Sequence, residues 1–490
     1  MSSPDATRPH GLVLHNSLVL TAVLIGALCH GSSCAADNVL LEDLRFQIGR
    51  TSYHVPRVEF VGANLDRQQL YALFAADGAQ PLHERLAALS ARAVNVPELT
   101  AEWSSTEGRQ TVSVRDLSLQ NVVAGKAARV SASEVTSEGA FIASVAIGSL
   151  GLTDLNFAMA ARIYADGARP SDKDADAIAG SLDLTAIGVR TRKGSTVHAD
   201  RFSVNTLRAL PGSSLGGEAE PGEVQRYISG VGTASLTGLN ADVASGETVS
   251  DRFKMSVKRA SLATEHPYNG MPTDVALTVD DFELLLPENA ETSSARDLRE
   301  MGYETMRGSL QAAGSWNEAA SEMVGDITLR VREAGSIGLR ATIGNVTKET
   351  FASTPAVAEA ASNKATFKAF AVSVSNDGLF EHYLANEARR QNRSPDDIRA
   401  DLAVQSAAAV ASILSVFPDA VVVAKAIVDF IKRPGELDLA IKAKARNGIA
   451  WADLIAALPV PSDRHRGQAQ YCRARAVRAG CRLRPGALSA

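Results

Sequence analysis

Apolar and polar residues alternate in a long series of short runs through the middle of the chain. Gly, Ser, Asn or Asp separate these runs, which cover residues 111–119, 128–135, 141–147, 181–189, 196–204, 233–243, 252–262 and 274–286. A period of two places successive side chains on opposite faces of a β-strand. From about residue 94 to residue 286, the pattern therefore predicts an all-β region of hairpins joined by short loops.

One hairpin unit recurs loosely within this region. The stretches SVRDLSLQNVVAGKAARVSAS, SLDLTAIGVRTRKGSTVHADRFSV and ASLTGLNADVASGETVSDRFKMSV each contain an apolar strand, a turn with glycine and a return strand. We interpret them as degenerate copies of one unit, as in proteins that are built from internal repeats.

The residues before the repeats predict a mixture of strands and helices. Loose alternation over residues 39–62 indicates one or two strands. Apolar residues then recur at helical spacing in two segments, residues 66–76 and 81–93, and Pro81 is acceptable in the first turn of a helix. We therefore expect two short helices before the repeats begin.

Strands and helices also mix in the C-terminal region. Residues 327–331 and 337–343 alternate strictly around a turn, which predicts an amphipathic hairpin with one solvated face. Helical periodicity, with an N-cap and a first-turn proline at Ser394 and Pro395, predicts buried helices that cover a sheet. The further elements expected are strands at 366–375 and 436–443 and helices at 379–391, 394–414 and 418–431.

These patterns predict a β-rich α+β fold. Repetitive antiparallel β-hairpins are expected to form an extended sheet, with helices packing on it, notably near the C-terminus. We assign residues 37–290 to an N-terminal β-repeat region with two short helices, and residues 291–462 to a C-terminal α+β region. The 490 residues, of which 45% are hydrophobic, are enough to bury a large core.

The two ends of the chain differ in character from this body. Residues 1–36 have the layout of a secretory signal, with an apolar run from Leu18 to Cys29 and small residues up to a cleavage site after Ala36. Lipidation at Cys34 is an open alternative for the same segment. Residues 463–490 are rich in arginine and lack apolar periodicity, which predicts a basic disordered tail. We therefore expect a periplasmic or secreted protein.

Composition narrows the classes of partner. A formal net charge of −5 is small for this length, so no global field marks a nucleic-acid binder. The apolar runs are too short or too near charged residues for a transmembrane segment in the mature chain. All four cysteines lie at or before Cys34 or at or after Cys472, which removes thiol catalysis and Cys-ligated zinc from residues 37–462.

One acidic loop has spacing that echoes a calcium site. Asp172, Asp174 and Asp176 stand at alternate positions, and Asp183 follows eleven residues after the first. Calcium prefers carboxylate oxygens at such spacing. However, Ala177 occupies the position where a calcium-binding loop has glycine for its sharp turn, and the last ligand is Asp and not Glu. The alternatives are therefore a weak calcium site and a solvated acidic loop.

Other motifs for chemistry are sparse. Gly212-Ser213-Ser214-Leu215-Gly216 matches G-x-S-x-G, yet Pro211 and Pro221 flank it where a nucleophile elbow needs a strand and a helix. The histidines form no ligand pair, and the chain has no glycine-rich phosphate loop. We expect no cofactor and no enzyme, with a hydrolase built on Ser214 as the weakest alternative.

The stretch Met301–Asn345 resembles uncharacterised exported proteins of alphaproteobacteria. The residues that carry this resemblance are a GY segment, a G-S-W-N turn at residues 314–317 and the amphipathic hairpin that follows. More distantly, the repeated hairpins are similar in style to the AsmA-like and YdgA-like envelope proteins. That likeness implies long sheets that curl into grooves for lipid, and it transfers no individual residue.

Together these observations predict an envelope structural or binding protein without catalytic activity. One hypothesis is a β-groove whose apolar strand faces contact lipid; its alternative is that the helices at 66–93 and 379–432 cover those faces as ordinary core. A second hypothesis is a scaffold that engages other envelope proteins through strand edges.

Overall fold

The computed structural model describes most of the body of the chain. The described residues are 38–48, 51–75, 80–105, 108–139, 142–164, 177–208, 231–244, 252–268, 271–287, 293–352, 354–413, 420–450 and 453. The proposed signal segment, the arginine-rich tail and the Ser214 loop lie outside them, so those three predictions stay predictions.

Strands are the main element of the described chain. They are β1 Val39–Ile48, β2 Thr51–Val61, β3 Ala91–Ser105, β4 Gly108–Val123, β5 Lys126–Ala132, β6 Glu134–Gly139, β7 Ile142–Asn156, β8 Ala177–Thr191, β9 Thr196–Arg208, β10 Val231–Ala244, β11 Arg252–Tyr268, β12 Met271–Leu285, β13 Thr305–Asn317, β14 Glu322–Val331, β15 Gly335–Gly344, β16 Thr366–Asn376, β17 Glu436–Lys442 and β18 Ile449–Ala450.

The helices fall into two groups along the chain. Those before β9 are α1 Arg67–Ala72, α2 Leu82–Ala87 and α3 Phe157–Tyr164. Those after β12 are α4 Ser293–Glu300, a 3₁₀ helix Lys348–Phe351, α5 Pro355–Ser362, α6 Leu379–Gln391, α7 Pro395–Ile413 and α8 Ala420–Lys432.

All described strands belong to one antiparallel sheet, and the sheet is a meander. Each strand pairs with the next along the chain, from β1–β2 through to β16–β17. There are two variations on this order. β5 and β6 together fill one strand position between β4 and β7, and β18 pairs with β16 beyond the end of β17. The predicted β-rich α+β fold with an extended hairpin sheet is confirmed.

A single line of residue pairs that interrupt the alternation crosses the sheet from β1 to β12. In every strand position the alternation is interrupted once, so that apolar residues follow the order apolar-x-apolar-x-x-apolar-x-apolar. We call this line the step. Each pair contains at least one polar residue, and the pairs are Glu42-Asp43, Pro56-Arg57, Pro97-Glu98, Arg115-Asp116, Ser133-Glu134, Gly148-Ser149, Thr185-Ala186, Asp200-Arg201, Thr237-Gly238, Lys258-Arg259 and Asp280-Asp281.

The step keeps the apolar residues on one face although their spacing changes. In β1, β4, β8, β10 and β12 the step contains a residue with positive φ, such as Ala186 at 50° and Asp281 at 48°. Gly238 has φ of 65°, and a Cβ there would lie 1.9 Å from Oδ2 of Asp200 on the neighbouring strand, so a larger residue would have to displace that side chain. The pleat therefore shifts by one residue in neighbouring strands together, and the apolar face continues across the line.

The N-terminal half of this face is covered. Helices α1, α2 and α3 pack with the apolar residues of β1 to β8 in one continuous core, in which Phe60, Leu99 and Phe157 are almost completely buried. A capping box between Asp66 and Gln69 fixes the start of α1.

The C-terminal helices pack mainly at the ends of their strands and on one another. Leu286 and Tyr303 lie in a small core where α4 meets the ends of β12–β15. Leu384 of α6 packs with Ile398 of α7, and α8 packs along α7. Arg390 of α6 pairs with acids of α4, which joins the two helices.

Three details of the predicted elements are wrong. The helix expected at 81–93 ends at Ala87, because Ala91 already begins β3. Residues 314–317, expected as a turn, are the last residues of β13, and the chain turns at Glu318–Ser321. The N-terminal region also contains a third helix, α3, that the pattern did not predict. The strands at 366–375 and 436–443 and the three long helices are confirmed within two residues, and the C-terminal hairpin is confirmed with a first strand that begins five residues earlier than predicted, at Glu322.

The line at residue 290 does not interrupt the sheet. β12 and β13 lie on either side of it and pair from Asp274–Ser315 to Leu285–Thr305. The sheet therefore runs through both of the regions 37–290 and 291–462. Their division into two domains stays a prediction.

Candidate functional site

The apolar face of the sheet continues into β13–β17 without ionisable side chains. Cross-strand registers bring the apolar positions of these five strands into rows on one face. We call this set the open face. It consists of Leu310, Ala312, Gly314, Trp316, Met323, Gly325, Ile327, Leu329, Ile337, Leu339, Ala341, Ile343, Phe370, Val372, Val374, Leu437, Leu439 and Ile441.

Exposure separates the open face from the covered half of the same sheet. Ile147 in β7 is 4% exposed, whereas Ile327 in β14 is 47% exposed and Ile337 in β15 is 41% exposed. On the same side of β10 and β11, Val243 and Met255 are also exposed. The same alternation thus produces a core in one half and an accessible apolar surface in the other. Exposed apolar patches that are continuous commonly mark binding surfaces.

Small residues lower the middle of the open face. Gly314 of β13 lies directly opposite Gly325 of β14, which in turn lies opposite Ala341 of β15. A Cβ at either glycine would meet only backbone oxygen, at 3.9 Å or 4.0 Å, so the space above them is open. Bulkier residues stand in the rows on both sides, and the face therefore has a shallow furrow across the strands.

An aromatic cluster bounds one end of the open face. The ring of Trp316 lies 4.6 Å from Phe351 of the 3₁₀ helix and 5.9 Å from Tyr268 of β11, between ring centroids. Its Nε1 donates a 2.8 Å hydrogen bond to the carbonyl oxygen of Val346. This bond satisfies the indole N–H, so the rest of the ring can serve as apolar surface.

Tyr303 bounds the opposite end, below α4 and α6. Its hydroxyl donates to the carbonyl oxygen of Glu333 at 3.0 Å, and its ring lies 5.1 Å from that of His382. Burial raises the pKa of Tyr303, and the charges of Glu333, Asp377 and Glu381 raise it further. The tyrosine is therefore a neutral structural group at neutral pH.

The α7–α8 pair also carries exposed apolar side chains. Val404 of α7 and Val421 and Val422 of α8 are each more than two-thirds exposed. Their helices carry few charges over this part of the sequence. No helix among the described residues is both long and apolar enough to cross a membrane.

The other side of β13–β15 is polar and carries paired charges. Arg307 contacts Glu283, and that contact raises the pKa of the guanidinium. Arg340 of β15 lies 3.4 Å from Asp326 of β14, the residue opposite it in register. The sheet thus has one face suited to water and one suited to apolar contact.

Most of the sequence-predicted calcium site lies outside the described residues. This applies to Asp172, Asp174 and Asp176. Asp183 lies in β8, where it accepts a 2.7 Å hydrogen bond from Nε of Arg201, and this bond raises the pKa of that arginine. Because its carboxylate already has a cationic partner, Asp183 would have to exchange it for calcium. The four-residue site stays a prediction.

Three of the described histidines have a polar partner nearby. His54 lies 3.0 Å from Asp43, His266 lies 2.9 Å from Asp274, and Nδ1 of His382 lies 2.7 Å from the carbonyl oxygen of Met301. Within the described ranges, no group of three or more His, Cys, Asp or Glu residues is arranged to hold a metal ion.

A family model described as an uncharacterized protein matches residues 328–463, which include most of the open face and helices α6–α8. No curated protein matches the chain. The expected similarity to uncharacterised proteins is therefore supported for the C-terminal region.

Proposed function

We propose that this chain is a non-catalytic envelope protein whose open face binds the acyl chains of lipids. The observation that carries the proposal is the contrast in exposure between Ile147 in the covered half and Ile327 in the open half of one sheet. Because side chains such as that of Ile327 are about half exposed, leaving each of them in water forgoes about half of the 1.5–3 kcal/mol of full burial, or roughly 1 kcal/mol. An apolar ligand would recover part of that free energy.

The shape and chemistry of the open face suit an acyl chain. From Met323 to Val331 the face extends about 26 Å along a strand at about 3.3 Å per residue. An acyl chain that reaches the middle of a bilayer spans about 15 Å. Backbone polar groups are paired within the sheet, and the face itself has no ionisable group, so contact is apolar and without directional demands.

The proposal also includes the location of the protein in the cell envelope and its alphaproteobacterial origin. Export through residues 1–36 would place the protein in the periplasm or outside the cell, where envelope lipids are accessible. A long meander with an open apolar face is in keeping with the architecture of the AsmA-like and YdgA-like proteins and with an alphaproteobacterial origin. The apolar surface at Val404, Val421 and Val422 would add a point of contact with a membrane.

The scaffold hypothesis has weaker support. Among the described residues, β1 and β17 each have only one long strand neighbour, so each offers an edge for strand addition. However, β1 carries Glu42 and Asp43, and β17 carries Glu436 and Asp438. Charged residues on edge strands oppose pairing with another strand.

Fluorescence quenching with a brominated fatty acid tests acyl binding. Trp316 lies within the open face, so a bound brominated chain should quench its emission. Burial of about ten methylenes at about 0.8 kcal/mol each supplies roughly 8 kcal/mol before the cost of association. We therefore expect a Kd no tighter than about 1 µM.

Matched variants of the full chain locate the binding surface. Ile327→Asp and Ile337→Asp place a charge on the open face and should weaken binding at least tenfold. Thr328→Asp places the same charge on the polar face of the same strand and should leave binding unchanged. Trp316→Phe should retain binding, measured by dialysis, while losing the quenching. Equal losses in Thr328→Asp and Ile327→Asp, or no saturable binding by the unmodified chain, would overturn the proposal.

A further inference from the structure

The polar face of the C-terminal sheet contains a cavity of about 460 Å³ at the ends of β12–β16. Its volume lies within the range of small-molecule sites, which is about 300–1,000 Å³. The side chains that carry the inference are Ser309, Arg330, Ser336 and Ser375, with Asp281 and Arg332 forming one wall. They lie on the opposite side of the sheet from the open face.

Strand register places the polar side chains of the cavity in one row. Ser309 of β13 and Ser336 of β15 lie directly opposite Arg330 of β14, one on each side. Ser375 of β16 lies opposite Ser336. Because neighbouring strands are about 4.8 Å apart, hydroxyl groups flank the arginine on both sides. None of these three hydroxyl groups forms a hydrogen bond to another described residue, so all three can bind a ligand.

Arg330 differs from the other arginines of this face. Arg307, Arg332 and Arg340 each have an acidic partner, namely Glu283, Asp281 and Asp326. Across the part of the chain that the structure describes, no acidic side chain lies within ion-pair distance of Arg330. Asp281, an acid of the cavity wall, already contacts both Arg332 and Lys258. The cavity therefore presents a guanidinium whose donors are free.

Two glycines beside the cavity lie where the backbones of neighbouring strands are tightly packed. Gly335 has φ of 130°, and a Cβ there would lie 2.0 Å from the carbonyl oxygen of Ser375. A Cβ at Gly308 would lie 2.0 Å from the carbonyl oxygen of Arg330. Larger residues at these two positions would push the strands apart at the site.

We propose that this cavity binds the phosphate group of a small ligand, with Arg330 as the principal contact. A guanidinium offers parallel N–H donors that match two phosphate oxygens, and serine hydroxyls donate to the remaining ones. Asp377 at the rim places a negative charge near the cavity, which favours a phosphate ester with hydroxyl or amine donors on its other end. The proposal does not depend on acyl binding by the open face.

Calorimetric titration of the full chain tests the site with inorganic phosphate and glycerol 3-phosphate. Titration at low salt to about 10 mM covers dissociation constants in the millimolar range. Arg330→Gln should weaken binding at least tenfold. Arg340→Gln is the matched control, since it removes an equal charge from the next strand on the same face, and binding should change less than twofold.

Two further variants distinguish a site with specific hydrogen-bond donors from general attraction by positive charge. Arg330→Lys keeps the charge but loses the paired donors and should weaken binding severalfold, and Ser336→Ala should also weaken it. Wild-type binding in both variants would overturn the proposal, as would equal losses in Arg330→Gln and Arg340→Gln. Absence of binding to soluble phosphates and to phosphatidylglycerol vesicles would overturn it as well.

The vesicle arm identifies the source of the phosphate. Binding to phosphatidylglycerol vesicles but not to phosphatidylcholine vesicles or soluble phosphates, with loss in Arg330→Gln, would assign the same chemistry to an anionic lipid headgroup. Ile327→Asp should leave phosphate binding unchanged, so failure of the acyl proposal and failure of this one can be distinguished.

Discussion

Truncating one isoleucine in each half of the sheet tests whether the C-terminal half is open in solution. Ile147 and Ile327 have the same side chain, lie in strands of the same sheet and point to the same face, but they are 4% and 47% exposed. Ile147→Ala removes buried atoms and leaves a cavity, which typically costs 2–5 kcal/mol. Ile327→Ala removes a side chain that is already about half exposed. Complete burial of such a side chain stabilises by about 1.5–3 kcal/mol, so the expected cost here is about half of that, near 1 kcal/mol.

Urea unfolding followed by circular dichroism measures both free energies. The expected result is a difference of at least 1 kcal/mol between the two variants, with Ile147→Ala the less stable. Because both variants remove the same atoms from a strand, differences in β-propensity cancel. Equal losses would mean that another layer covers Ile327 in solution, and the acyl-binding proposal would then lose its basis.

Three further perturbations test other parts of the structure. Gly238→Ala should destabilise the chain by about 1–3 kcal/mol, because of its positive φ and its approach to Asp200; Gly435→Ala, with no atom within 4 Å of the added Cβ, should change the urea midpoint little. Burial raises the pKa of Tyr53 to about 12, so its folded pKa exceeds its unfolded value near 10. Neutral Tyr53 therefore contributes about 3 kcal/mol to the free energy of unfolding, fully below pH 10, and this contribution is lost as pH rises through 12. Tyr53→Phe should remove this part of the alkaline unfolding curve. Asp66→Ala should cost about 0.5–2 kcal/mol through loss of the capping box of α1, with Asp116→Ala at the step expected to leave α1 intact by hydrogen exchange.

Strict alternation made the C-terminal hairpin predictable. Residues 327–331 and 337–343 repeat with a period of two and without interruption, and the structure pairs them as β14 and β15. Alternation alone was a poorer guide to β3 because Pro97 and the adjacent step interrupt it. A search for the order apolar-x-apolar-x-x-apolar-x-apolar would have found β3 together with the other strands up to β12.

The errors have local physical causes. Leu89 lies at helical spacing from Leu82 and Leu86, yet it packs into the core from the loop that follows α2, so its spacing wrongly extended the predicted helix. Small residues, including Gly308 and Gly314, weaken the strand signal of β13. Whether a sheet face is covered depends on tertiary packing, and the apolar residues of β7 and β14 have the same pattern in the sequence. The sequence alone does not mark Arg330 as a site residue, because only the strand register places it between two serines.

Connectivity of the sheet also bears on how the chain acquires its structure. Since every long strand pairs with the one synthesised just before it, a polypeptide that emerges N-terminus first can add hairpins in order, without waiting for distant sequence. The helix-covered half would form first and offer a finished edge to each later ribbon. Growth of the gene by duplication of one hairpin would lengthen such a sheet without disturbing the pairs already made.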